Sequence, residues 1–270
     1  MSIPLKTTRR PVDRLVLVAS LLTAIAPLAC GATVAVAADM PMKAATAPVY
    51  QWSGCYAGIN GGGGASASNF TATVDPGGYL TAPDPATVSG DGSGSANNSN
   101  FLGGGQAGCN WQSGTVVVGL EGDFDYFPSN SNFYNNTDTL TAGTAFVVGQ
   151  SLTTSYLATL RPRIGIAADR NFSYVTGGVA FTDASYTESY SDAAGGYGSA
   201  TASKFLTGWT AGAGWEYALT DHWLLRFEYL LAAFPTTSAT GVITNGGSNP
   251  LHGSADLVLQ TARAGLNFKF

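Results

Sequence analysis

Nine charged residues fall at alternate positions in otherwise apolar stretches, and their types and spacing are the best chemistry this chain offers. In VVVGLEGDFDYF, Glu121, Asp123 and Asp125 oppose Val118, Leu120, Phe124 and Tyr126; in YLATLRPRIGIAAD, Arg161 and Arg163 oppose Leu160, Ile164 and Ile166. Glu216 in GWTAGAGWEYAL opposes Trp209, Trp215 and Tyr217, and Arg226 with Glu228 in HWLLRFEYLLAAF opposes Trp223, Leu225, Phe227, Tyr229 and Leu231. Arg263 in DLVLQTARAGLNFKF opposes Ala262, Ala264, Leu266, Phe268 and Phe270. Four arginines and five carboxylates on one face could line an ion path or pair into a salt-bridge plug. Opposite charges crowded into a narrow space neutralise one another, and unpaired ones are costly, so a paired network is expected.

Other chemistries find little support. His222 and His252 are the only histidines. They fall beside a short turn and in a long connection respectively, so they cannot converge on one site with Ser or Asp as a hydrolase needs. The chain is therefore expected not to be an enzyme. The glycine runs 61–64 and 103–105 precede neither a helical pattern nor Lys-Ser/Thr, which removes a phosphate-loop reading. No His/Cys cluster with ligand spacing occurs, so neither a metal nor a cofactor is expected. Cys55 and Cys109 lie near the same end of two neighbouring segments and point to the same side. They form either a cross-strand disulfide or two unpaired buried thiols.

The period of two that orders the charges is a strand signature. Eight strand-like segments follow one another: 52–64, 101–112, 115–127, 153–168, 172–186, 204–219, 222–234 and 257–270. Between them, tight turns at 113–114, 169–171 and 220–221 alternate with long connections rich in Gly, Ser, Thr and Asn at 65–100, 128–152, 191–203 and 235–256. Strict alternation of short and long connections is what an up-and-down barrel with both termini on one side requires. With apolar side chains outward and ions inward, the expected fold is an all-β, eight-stranded antiparallel transmembrane β-barrel over 52–270. A barrel of eight strands has an interior filled by side chains. Gly165, Gly212 and Gly214, on the charged face, are expected to leave room for the arginines. Trp52, Trp111, Trp215, Tyr217 and Trp223 cluster at strand ends near the short turns and are expected to form an interfacial aromatic girdle. Tyr and Phe in the long connections (Phe70, Tyr79, Phe133, Tyr134, Tyr190, Tyr197) could contact a partner or simply stabilise the connections. Pro162 is the awkward residue, because a closed barrel has no edge strand to host it, and it is expected to mark a bulge.

The N-terminus reads as an export signal: Lys6, Arg9, Arg10 and Arg14, then LVLVASLLTAIAPLA, then Ala35-Val36-Ala37. Residues 1–37 are thus expected to be a cleaved signal peptide, and the Pro- and Ala-rich 38–51 a periplasmic lead-in without structure. Without the leader, 8 basic residues face 16 acidic ones, which makes nucleic acid an improbable partner.

The segments QWSGCYAGINGGGG, FLGGGQAGCNWQ, SYLATLRPRIGIA, YVTGGVAF, GWTAGAGWEYAL and ARAGLNFKF together resemble the strand motifs of the outer-membrane immunogenic, opacity-like porin family of alpha-proteobacteria. Pro162 departs from that pattern, where glycine is more usual. The closing Phe268 and Phe270 also resemble the terminal assembly signal of bacterial outer-membrane barrels. The resemblance implies a multi-pass outer-membrane location, a structural role in the envelope and a surface antigen. It also implies outer-membrane lipid, lipopolysaccharide and the barrel-assembly machinery as partners. Two further possibilities follow from it: a low-conductance porin for small solutes, and an adhesin or haem or host-factor binder acting through the outer loops.

Overall fold

The computed structural model describes residues 50–135 and 138–270; the expected signal peptide and nearly all of the lead-in lie outside them. Eight strands form one closed antiparallel barrel in chain order: β1 (Gly54–Val74), β2 (Gly94–Ser113), β3 (Val116–Asn135), β4 (Phe146–Ala168), β5 (Asn171–Asp192), β6 (Tyr197–Ala218), β7 (Trp223–Thr244) and β8 (Ser248–Lys269). β1 pairs with β8 from Tyr56↔Lys269 to Val74↔Leu251, so no edge is left. One helix, α1 (Asp84–Asp91), sits in the β1–β2 connection.

The strands run to 20–23 residues, about twice the length needed to cross a bilayer. Much of the expected long connections is therefore strand. β3 continues to Asn135, β5 and β6 are joined across residues 193–196, and β7 and β8 across residues 245–247. Polarity explains the difference. In the lower half, near the tight turns, apolar side chains point outward: Ile164 is 52% exposed, Phe227 49%, Leu266 38% and Phe268 39%. In the upper half the same alternation continues with its polarity reversed. On β5, Thr187 and Ser189 face out while Ala184, Tyr186 and Tyr190 face in. A wall that is polar outside and apolar inside belongs in water, so only the lower half carries the lipid-facing belt.

Four register shifts lie where the halves meet, among them one on β3 between Tyr126 and Ser129 and one on β6 between Ser199 and Trp209. β4 shifts register between Thr153 and Ala158, and β7 between Phe234 and Thr237. Pro162 marks no bulge: the β4–β5 register is the same at Leu160↔Val179 and Arg163↔Thr176 on either side of it. Its ring faces outward, it pairs with Leu120 of β3, and its carbonyl accepts from Thr176 Oγ1 at 2.8 Å. The missing N–H thus leaves a gap in only one ladder, on the side where Gly177 and Gly178 stand opposite.

Candidate functional site: a lumen closed in three tiers

The barrel encloses three tiers of side chains, each set by inward positions of neighbouring strands. The lowest is an aromatic cap. Trp52, completely buried, packs on Phe172 with ring centroids 5.1 Å apart and on Tyr50 at 5.0 Å. Its indole N–H donates to the Asp169 carbonyl at 3.1 Å, and its backbone N–H donates to Gln112 Oε1 at 2.7 Å. Val117, Ala167, Ala218 and Leu224 complete the cluster. Trp52 is therefore no part of an outer girdle. It lies just before the first strand, where together with Tyr50 it fills the lower mouth. The other four expected girdle residues do face outward, with Trp215 stacked on Tyr217 at 6.0 Å and Trp223 against Phe268 at 5.2 Å.

The middle tier holds all nine charged residues singled out above, every one buried. Arg161, wholly inaccessible, donates to Glu121 and Asp123 at 2.8 Å each and to Glu228 at 3.2 Å. Arg163 reaches Glu216 at 2.7 Å and Glu121 at 3.4 Å; Arg226 reaches Glu121 at 2.6 Å and also pairs with Glu228. Arg263 binds Glu228 at 2.7 Å, Asp123 at 3.0 Å and Asp125. Each carboxylate thus meets at least one guanidinium, and the Arg226–Glu121 and Arg161–Glu228 pairs take the forked geometry that makes such bonds strong. Burying this many ions is tolerable only because they compensate one another.

Uncharged residues finish the network, and the alternation of charges gave no signal for them. Tyr56 donates its hydroxyl to Glu121, Tyr174 donates to Glu228 at 2.9 Å, and Asn110 accepts from Arg163 Nε at 3.0 Å. The Arg163 guanidinium lies over the rings of Tyr56 and Tyr174, 4.8 and 5.0 Å from their centroids. The inward glycines make room for rings and backbone rather than for arginines. A Cβ at Gly214 would run into the Tyr174 ring, one at Gly165 into Tyr174 and the Ser173 carbonyl, and one at Gly212 into Leu230 and the Tyr229 carbonyl. A Cβ at Gly178 would meet the Leu160 carbonyl and then Arg161 Cα and Cγ, and one at Gly119 would crowd Asn110 and Arg163 Cγ.

Above the ions lies an apolar tier. Leu102, Phe127, Leu157, Leu206, Phe234 and Leu257 belong to one buried cluster that continues upward through Phe70, Phe146, Tyr186 and Ile243. The strap formed by residues 75–93, which contains α1, closes it from above by burying Leu80 and Val88. Asn249 holds the strap: its Oδ1 accepts from Leu80 N at 2.7 Å, and its Nδ2 donates to the Leu80 carbonyl at 2.8 Å. Of the aromatic residues in the expected loops, Phe70 and Tyr190 are core, and Phe133 with Tyr79 packs against it; Tyr134 and Tyr197 are free on the surface.

Cys55 and Cys109 stand directly opposite in the β1–β2 register, with Cα atoms 4.0 Å apart, and are joined as a disulfide on the outer wall near the lower rim. The Phe270 amide donates to the Cys55 carbonyl at 3.0 Å, so the end of the chain is fastened to the same point. His222 stacks on Phe268 at the lower rim, whereas His252 faces Asp75 near the opposite end, and the two share no site. Among the described residues, no group of three His, Cys, Asp or Glu could hold a metal ion.

The chain matches the family model of the outer membrane protein beta-barrel domain over residues 28–270. It is 32% identical to a 31 kDa outer-membrane immunogenic protein of Brucella melitensis, over 94% of this chain and 99% of that one. It is 28% identical to a 25 kDa outer-membrane immunogenic protein of Brucella abortus, over 70% and 69%. Among solved structures, the outer membrane protease OmpT of Escherichia coli superposes with a TM-score of 0.45 at 9% identity, covering 83% of this chain and 99% of that one.

Proposed function

The chain belongs to the outer membrane protein beta-barrel domain family and is a surface-exposed protein of the bacterial outer membrane, and on that footing we propose that it is a closed, non-catalytic barrel with a structural role. The observation that carries this reading is the stacking of two seals of opposite character. An ion or sugar crossing the barrel meets nine mutually paired charged side chains, and beyond them a water-excluding apolar tier. A charged filter alone could pass ions, and a hydrophobic constriction alone could open by wetting. Stacked in series, the two tiers fill the lumen with buried side chains, Ser66, Ser68, Ser129, Ser131 and Gln150 being set among the apolar ones of the upper tier. Phe268 and Phe270 serve as the terminal assembly signal read by the barrel-assembly machinery.

Contact with the surroundings falls to the extracellular half. Among the described residues its surface carries Asp75, Asp84, Asp91, Asp138, Asp183, Asp192 and Asp256, with Lys204 as its only lysine or arginine. Like charges repel, so any partner held there is cationic, or reaches the surface through divalent cations.

The test is a strain lacking the protein. A structural role is expected to raise sensitivity to detergent and uptake of hydrophobic dyes, while uptake of small hydrophilic solutes stays unchanged. Slower solute uptake with normal detergent tolerance would instead favour a porin.

A further inference from the structure

Among the described residues, the apolar tier contains one carboxylate, and it has no counter-charge. Glu188 on β5 is completely buried, and its Oε1 has no hydrogen-bond partner. It stands above the lipid-facing belt, between the outward Thr187 and Ser189. Each element packed around it presents a neutral group. β4 offers Gln150 and β6 Ala200, directly opposite in register. β8 offers Gly253, whose missing side chain makes the space that the carboxylate fills. Ala239 of β7 pairs with Gly253, and Phe70 of β1 lies against the Tyr186 ring. The one titratable neighbour is Tyr186 on its own strand, with a hydroxyl 3.4 Å from Oε2. Elsewhere in this barrel every buried carboxylate of the middle tier meets an arginine, so Glu188 is set apart by its surroundings as well as by its height.

Glu188 is also wired to the strap. The Tyr186 hydroxyl donates to Gln150 Oε1 at 2.7 Å, and Gln150 Nε2 donates to the Gly92 carbonyl at 2.5 Å, at the C-terminal end of α1. Ser89 and Ser93 tie the same turn to β1 by accepting from the Val74 and Ala72 amides at 2.8 and 3.1 Å. A change in the space between Tyr186 and Gln150 therefore reaches the lid of the barrel through two hydrogen bonds.

We propose that Glu188 is a proton-operated latch on the extracellular seal: uncharged, it lets the strap of residues 75–93 close the mouth; ionised, it draws water into the apolar tier and releases the strap. The sign follows from burial, which pushes the Glu188 carboxyl up to about 7, against a smaller lowering by the Tyr186 hydroxyl. The closed state then binds the proton more tightly than an open state in which the carboxyl is solvated. Closure is fully favoured below the solvated value of 4.5 and weakens as pH rises through about 7. Each pH unit in that window is worth about tenfold in the closing equilibrium. A surface reached by both acidic and neutral surroundings would thus be shut in acid and loosened at neutral pH.

Amide hydrogen exchange of the folded protein in lipid nanodiscs tests the latch. The probes are strap amides such as Leu80, and Gly92, which donates to the Val88 carbonyl at 2.8 Å. After normalisation for base catalysis, their protection is expected to fall roughly thirtyfold between pH 5.5 and 8 in the native protein. In Glu188→Gln it stays high and flat. Flat protection in the native protein, or an unchanged pH profile in Glu188→Gln, would overturn the proposal. If Glu188→Gln fails to give the folded band on an unheated gel, Tyr186→Phe replaces it. Losing the hydroxyl removes both the bond to Gln150 and the lowering influence on Glu188, so the profile flattens or its midpoint moves to higher pH, and an unchanged profile overturns the latch. The proposal builds on the closed-barrel reading, yet exchange reads the strap and not current. A conducting barrel would leave it standing, and a flat profile would end it whatever the barrel conducts.

Discussion

Replacing Arg161 with Met probes the ionic tier where it is most connected. The side chain is wholly inaccessible and binds Glu121, Asp123 and Glu228. Methionine keeps much of the length and the apolar stem but removes the charge, so four arginines and five carboxylates become three and five. The orphaned groups are not equally exposed to the loss. Glu121 keeps Arg163 and Arg226, Glu228 keeps Arg226 and Arg263, and Asp123 keeps only Arg263. Breaking a buried ion pair from one side costs about 3–5 kcal/mol, because the remaining charge stays in a low-dielectric site. Shared partners place Arg161→Met toward the lower end, about 3 kcal/mol. The double variant Arg161→Met/Glu228→Gln removes one charge of each sign, and the two losses are expected to be less than additive by about 1–3 kcal/mol. Guanidinium unfolding in phospholipid vesicles, followed by tryptophan fluorescence and checked by the heat-dependent gel shift, measures both. A loss below about 1 kcal/mol for Arg161→Met, or simple additivity in the double variant, would refute the view that these ions form one compensated network.

Three other perturbations separate the parts of the account. Adjacent glycines on β1 face opposite ways: a Cβ at Gly62 would overlap the Ala262 carbonyl and Arg263 Cα, while one at Gly63 meets nothing within 4 Å. Gly62→Leu is therefore expected to abolish the folded gel band, and Gly63→Leu to leave it. Trp52→Ala empties the lower cap and is expected to cost about 3–5 kcal/mol in the same unfolding assay, whereas outward Trp111→Ala costs less than half as much. Cys55→Ser/Cys109→Ser opens a loop of 54 residues, for which chain entropy gives an upper figure of about 4 kcal/mol; reductant should produce the same loss in the native protein and none in the double variant.

The lower half of the barrel was legible because ions alternate with Leu, Ile, Phe and Trp, a contrast that survives in any single strand. Arg226 and Glu228 against Phe227 and Tyr229 are enough to orient β7. The upper half keeps the period but loses the contrast. In ASASNFTATV, inward Ser66, Ser68, Phe70, Ala72 and Val74 alternate with outward Ala65, Ala67, Asn69, Thr71 and Thr73, so small and polar residues occupy both faces and the stretch imitates a loop. Reversal of polarity along one strand was equally hidden, since it depends on where lipid ends. Trp52 was misplaced because an aromatic residue just before a strand suits an interface as well as a plug. Tyr56 and Tyr174 were invisible as partners of the ions, because which strands face each other across the lumen is set by closure and not by local sequence. Glu188 fell in the four residues between the fifth expected strand and the following connection, with nothing nearby in sequence to mark it as alone.

Planar-bilayer recording of the purified, refolded protein tests the closed lumen most directly. In 1 M salt, at pH 5.5 and with the lower cap, ionic tier and apolar tier intact, the membrane current should show no unitary steps. Reproducible steps of uniform size, scaling with protein added and absent from a Gly62→Leu preparation that fails to fold, would contradict the account.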